Sequence, residues 1–207
     1  MTTSSEPEFG GHLLVKCLLA QGVSHVFGVP GESYLAVLDG FYQYRDQIQF
    51  IINRQEGGAA FMAEAHGKLT GRPGVCFVTR GPGATNACTG VADAFTDCQP
   101  VLLVTGGFER SIQQRDRSKL FHGLDQRKFF RPIVRYYGCP QLAEQIPQTV
   151  HAAFAAMRSQ RPGPAVLEIA PDVAAEDAGA PTIPEPVQPR YGKQPHDAAV
   201  ERAAEQL

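Results

Sequence analysis

Four junctions in this 207-residue chain set chemically capable residues directly after β-branched, strand-like runs. The first is Phe27-Gly28-Val29-Pro30-Gly31-Glu32, where Pro followed by Gly favours a type II turn and draws backbone towards whatever lies beside it. The second, Asn53-Arg54-Gln55-Glu56-Gly57-Gly58-Ala59-Ala60, puts Glu56 at the head of a helix-like stretch. A carboxylate there is either a helix-start residue answering the macrodipole or a partly buried acid able to exchange a proton. The third, Thr79-Arg80-Gly81-Pro82-Gly83-Ala84-Thr85-Asn86, has the outline of a dinucleotide loop but breaks its rule. Asn86 replaces the third glycine, Pro82 stiffens the loop, and the next strand ends in Thr105-Gly106 rather than an acid. Its backbone and Asn86 suit a flat heterocycle better.

The fourth region, 106–131, interleaves Arg110, Arg115, Arg117, Lys119, Arg127, Lys128 and Arg131 with Glu109, Asp116 and Asp125. It reads as a solvated loop, or as a segment that orders against a substrate or a neighbouring chain. No spacing pairs His122 with Asp125. Asp93 and Asp97, one helical turn apart, lack the rest of a ligand set, so no residue is assigned to a metal.

The elements that must hold these junctions follow from hydrophobic period. Helices are predicted over 9–21 with Gly22 as the stop, 32–44, 56–70 with Gly71 as the stop, 83–95 and 146–158. Strands are predicted over 25–29, 49–52, 75–79, 101–105, 133–137 and 165–169. Strand–helix alternation with near-continuous apolar strands means an α/β fold: a parallel sheet of about six strands with helices on both faces. All four junctions then lie at the carboxyl edge of the sheet, where such folds bind ligands. Ala59, Ala63 and Gly67 on one helix, and Gly83, Ala87 and Ala94 on another, form small-residue faces that suit close helix crossing and suggest a subunit interface. The proline-rich stretch 174–197 reads as an extended linker, 1–8 as a disordered N-terminus, and 198–207 as the start of a truncated middle domain.

Composition excludes several classes. With 43% hydrophobic residues the chain closes a real core, and a net charge of −2 offers no field for nucleic acid. No apolar run reaches the roughly 20 residues that span a bilayer, and the polar N-terminus is no secretory signal. Cys17, Cys76, Cys88, Cys98 and Cys139 are odd in number, without a C-x-x-C pair; they read as thiols of a reducing cytoplasm.

Segments 26–31 (VFGVPG), 54–60 (RQEGGAA), 74–86 (GVCFVTRGPGATN) and 161–169 (RPGPAVLEI), in this order and spacing, resemble the N-terminal pyrimidine-binding domain of thiamine-diphosphate enzymes. The acetolactate synthase, pyruvate oxidase and benzoylformate decarboxylase group is the nearest in character, and the resemblance covers about 9–173. It implies that Glu56 bonds N1′ of the cofactor's aminopyrimidine and so helps form the C2 ylide that attacks a 2-oxo acid. It also implies that Pro82, Gly83 and Asn86 lie against the pyrimidine, that Thr79 belongs to the same cofactor-binding set, and that Pro30 and Gly31 face the reacting centre. Glu56 in a dry interface would have its pKa raised, ready to share a proton.

The sequence departs from that family in two places. Gln55 stands where histidine is common, and Phe121-His122-Gly123-Leu124-Asp125 replaces a Phe-Gln-Glu-x-Asp pattern, putting His122 on the substrate side. The Gly-Asp-Gly…Asn-Asn motif that holds Mg²⁺ and the diphosphate is not among these residues. The expectation is therefore a cytoplasmic lyase or transferase domain, inactive alone, in a homodimer or homotetramer with its site between subunits. A non-catalytic partner subunit of the same fold and a nicotinamide-binding oxidoreductase domain are the alternatives.

Overall fold

The structure, a computed structural model, describes residues 8–159, 161–188 and 196–206. Its elements are α1 (Gly10–Ala20), β1 (His25–Gly28), α2 (Leu35–Gln43), β2 (Gln49–Ile52), α3 (Glu56–Thr70), β3 (Gly74–Val78), α4 (Pro82–Thr96), β4 (Val101–Gly106), α5 (Gln126–Phe130), β5 (Tyr136–Gly138), α6 (Ile146–Met157), β6 (Ala165–Ile169), α7 (Pro171–Ala174) and α8 (Asp197–Ala204). The six strands form one sheet in the order β2-β1-β3-β4-β6-β5, and every pairing is parallel. The central strands β3, β4 and β6 are buried along their whole length, which is why their sequences are apolar but for Thr105 and Glu168.

Alternation within those strands divides the core in two. Val75, Phe77, Leu102, Val104 and Leu167 meet the large side chains of α1, α2 and α6, among them Leu14, Phe41 and Phe154. Cys76, Val78, Leu103 and Val166 meet the alanines of α3 and α4. That second layer is thin because its helices approach closely. A Cβ on Gly90 would sit 2.7 Å from Ala60 Cβ, so the glycine is what lets α4 cross α3.

This packing corrects one expectation. The small faces of α3 and α4 do not wait for a second subunit: Ala59, Ala63, Ala87 and Ala94 are fully buried within the chain, against the sheet and each other. What those helices leave outside is larger, with Phe61, Met62 and Leu69 exposed on α3.

Boundaries shift where local geometry intervenes. The helix predicted over 32–44 begins as a 3-10 turn at Glu32–Tyr34 before α2, and the strand predicted over 133–137 starts later, after a 3-10 turn at Arg131–Ile133. Both glycine stops appear as read: Gly22 and Gly71 take φ of 80° and 68°. Residues 175–188 form no helix and turn at Gly179, where φ is 65°, yet they are packed rather than free. The Ala178 N–H donates to Glu8 O at 2.8 Å, the Val187 N–H donates to Gln21 Oε1 at 3.0 Å, and Ala178, Ile183 and Val187 lie against the core. The first seven residues of the N-terminal segment read as disordered, and 189–195 of the linker, lie outside the described residues. Helix α8 buries none of its residues.

Candidate active site

Strands β1 and β3 are neighbours, but α2 after β1 packs on one face and α4 after β3 on the other. A crevice therefore opens beyond their carboxyl ends, at the switch point of the sheet. The two loops that border it are stitched together. Ser33 Oγ and Thr79 Oγ1 lie 2.8 Å apart, Thr79 Oγ1 donates to Glu32 Oε2 at 3.2 Å, and the Arg80 N–H donates to Ser33 Oγ at 3.2 Å. Gly31 must be small, because a Cβ there would lie 2.7 Å from Thr79 Cβ. Arg80 reaches Glu32 at 3.3 Å and donates to Gly107 O at 3.1 Å, fastening the same corner to the end of β4.

Glu56 enters from α3, and its role at the helix start is settled by its neighbour. Gln55 is the N-cap residue: extended at φ −156°, it accepts the Gly58 N–H at 2.9 Å through its own Oε1. The Glu56 carboxylate is left to face α4, where Oε2 accepts from Asn86 Nδ2 at 2.9 Å. Oε1 has no hydrogen-bond partner among the described residues. A Cβ on Gly83 would lie 3.5 Å from that oxygen and 2.8 Å from Thr79 Cγ2, so Gly83 leaves the ground between Glu56 and Thr79 open.

Five of the expected site residues, Gly31, Glu56, Thr79, Gly83 and Asn86, thus converge. Pro30 is exposed and borders an apolar groove of about 470 Å³ beside α2 and β2. Pro82 is exposed at the first position of α4. His122 packs over the glycine loop: a Cβ on Gly81 would meet His122 O at 2.4 Å and His122 Cβ at 2.8 Å. His122 adopts a left-handed φ of 57°, stacks on Phe121 at 3.8 Å, and buries Nδ1 without a partner.

Gln126 carries no sequence signal and proves central. It is 1% exposed; its Oε1 accepts from Thr105 Oγ1 at 3.0 Å and from the Gly81 N–H at 3.3 Å, while Nε2 donates to Gly106 O at 3.0 Å. A dinucleotide phosphate would need that Gly81 amide, and Pro82 has none to offer.

The long region is ordered by its own chain. Arg110 Nε donates to Asp172 at 2.7 Å, and Arg80 and Arg117 lie over the Phe108 ring at 4.9 and 4.6 Å. Elsewhere, Asp93 and Asp97 acquire a third acid, Glu64, but Lys68 sits among them, 2.8 Å from Glu64 and 2.7 Å from Asp97. An ammonium already answers that charge. All five cysteines are free, and burial pushes the Cys17 thiol up to about 12, far from reactive. Among the described residues no helix is long and apolar enough to cross a membrane.

A parallel α/β domain with a carboxylate and a carboxamide paired at its switch-point crevice is a ligand-binding domain of the kind that serves flat cofactors. Residues 9–129 match the family described as thiamine pyrophosphate enzyme, N-terminal TPP binding domain, and the chain belongs to that family. It is 39% identical over 190 residues to an acetolactate synthase of Bacillus subtilis (strain 168), covering 91% of this chain and 32% of the relative. A catabolic acetolactate synthase of Raoultella terrigena is 36% identical over 96% of this chain and 34% of its own length. A probable 2-ketoarginine decarboxylase of Pseudomonas aeruginosa is 34% identical over 80% of the chain and 29% of that protein. The chain spans about a third of the length of these relatives.

Proposed function

We propose that this chain is the pyrimidine-binding part of a thiamine-diphosphate-dependent lyase or transferase of acetolactate-synthase type, acting on a 2-oxo acid. The observation that carries the reading is the Glu56–Asn86 pair, with one Glu56 oxygen bound and the other free. The free Oε1 fits the ring nitrogen N1′ of an aminopyrimidine. When bound, the cofactor supplies a carbon nucleophile that adds to the carbonyl of the substrate.

The chain's own residues do the rest. Gln55 caps α3, so the Glu56 carboxylate is spared for the crevice. Asn86 holds it in one orientation, so its proton is exchanged at Oε1 rather than at a rotating carboxylate. Gly83 and Gly31 keep side chains out of the space a planar ring needs. Thr79, held by Ser33 and Glu32, forms a fixed wall. His122 lies on the side where a substrate would approach, in place of the family's glutamine. In this reading Mg²⁺ and the diphosphate are held by residues outside these 207, a partner subunit completes the site in a homodimer or homotetramer, and the enzyme is cytoplasmic.

The test is exchange of the cofactor's C2 proton with deuterated solvent, in the enzyme assembled with its Mg²⁺-binding part. Positioned acid–base groups are worth about 10²–10⁴-fold, so Glu56→Gln slows exchange within that range with folding intact. His122→Gln leaves exchange near the parent rate and alters substrate preference. Parental exchange in Glu56→Gln overturns the assignment.

A further inference from the structure

Two strands along the sheet from the β1/β3 crevice lies a second opening. A cavity of about 450 Å³ is bounded by the 113–117 segment, the start of α5, and the ends of β5 and β6. Its walls include Gln113, Gln114, Arg117, Tyr137, Gln141 and Glu168. Most of these groups are already committed. Gln113 Nε2 donates to Phe108 O at 3.1 Å, Gln141 Nε2 to Cys139 O at 3.2 Å, and Tyr137 OH to Glu168. Gln114, Arg117 and the exposed Arg127, which also lines the cavity, make no side-chain hydrogen bond to a described residue, and of these Arg117 has the buried donor. Its guanidinium carbon lies 4.6 Å from the centre of the Phe108 ring, yet it donates no hydrogen bond to any described residue, and its Nη1 is buried without a partner. A half-buried guanidinium with its donors unused is costly unless something accepts from it.

We propose that this cavity binds a small monocarboxylate, received by the Arg117 guanidinium. The chemistry follows from the walls. A guanidinium edge matches the two coplanar oxygens of a carboxylate, and the Phe108 ring keeps the group at the cavity wall. The glutamine amides around the cavity offer neutral polar contacts. Glu168 and Asp125 on the wall stand against Arg117 and Arg127, so the cavity carries no surplus of positive charge, which favours one negative charge over the two of phosphate. Burial raises the Glu168 pKa, against the hydrogen bonds from Tyr137 and Gln126, so its proton is retained more readily than an ordinary carboxyl's. A volume of this size admits a ligand with a short carbon chain. The site does not rest on the thiamine-diphosphate reading of the crevice: Glu56, Asn86 and the glycine loop do not line it, and it meets that loop only through Gln126, which accepts the Gly81 N–H.

The experiment is ¹H–¹⁵N NMR of the chain titrated with butyrate, with inorganic phosphate as the second arm. Saturable shifts centred on the side-chain amides of Gln113, Gln114 and Gln141 and on Arg117 Nε–H are expected. Arg117→Gln weakens the apparent affinity about tenfold or more, whereas Arg115→Gln and Glu56→Gln leave it unchanged. If Arg117→Gln does not fold, the map on the parent chain still decides. Shifts confined to the β1/β3 crevice, tighter binding of phosphate than of butyrate, no saturable shift, or an unaffected Arg117→Gln would each overturn the proposal.

Discussion

Gln126 and Gly81, 45 residues apart, are joined at the carboxyl edge of the sheet: the Gly81 N–H donates to Gln126 Oε1 at 3.3 Å. The same carboxamide serves Thr105 and Gly106 on β4. One side chain from the long region therefore fixes the loop that leads into α4 and Asn86. Gln126→Leu keeps the volume but leaves the buried Gly81 N–H without this partner, and the Gly106 carbonyl with only the Thr105 hydroxyl at 3.3 Å. Its expected cost is about 2–4 kcal/mol, measured by urea unfolding. A loss below about 1 kcal/mol would mean that the loop holds its shape without this residue.

Capping and chemistry are separable at the start of α3. Gln55→Ala removes the bond to the Gly58 N–H and should cost about 1 kcal/mol of stability. Glu56→Gln should cost less than about 0.5 kcal/mol, because its partner is one exposed Asn86 amide. The reverse order in thermal unfolding would return Glu56 to the role of a helix-start residue.

The α3/α4 crossing is close enough to be sensitive to one methyl group. Gly90→Ala should destabilise by about 1–3 kcal/mol through overpacking against Ala60. Adding Ala60→Gly relieves the 2.7 Å contact with Cβ but not the 3.0 Å approach to the Ala60 carbonyl carbon and the Phe61 nitrogen. The double variant should recover part of the loss, a coupling readable in a double-mutant cycle. Strict additivity would show that the helices separate rather than collide.

Glu168 gives the fold a pH dependence of known sign. Burial raises its pKa, opposed by the hydrogen bonds from Tyr137 and Gln126. A carboxyl raised in the folded state supports folding fully below its unfolded value of about 4.3. That support is lost as pH rises through the raised value. Glu168→Gln has no such proton to lose, so its stability relative to the parent should improve from about pH 5 to about pH 8. Urea midpoints at the two pH values check this; a constant difference would place the Glu168 charge in contact with water.

Much of the architecture was written locally. Strands such as Gly74–Val78 carry no polar side chain at any position, as a sheet covered on both faces requires, and Gly71 ends α3 because left-handed backbone is available there at no steric cost. The order of four junctions along the chain placed Gly31, Glu56, Thr79, Gly83 and Asn86 at one sheet edge, since parallel strands share their direction. The sequence alone therefore determined the fold class, the edge that carries the site, and the family. Tertiary structure decided what each polar group does once there. Whether Glu56 caps α3 or faces the crevice depends on Gln55 taking the cap and on Asn86 arriving from another helix. Whether small faces join two subunits or two helices of one chain depends on which surface reaches them first, and Ala60 meets Gly90. Gln126 and Arg117 lie in a polar region with no period to read. Their meaning arises only from groups 20 to 45 residues away for Gln126, and, for Arg117, from the cavity that leaves its donors unused. Hydrophobic period reports which face is dry, because burial repeats along an element; it says nothing of which partner a polar side chain finds across the fold.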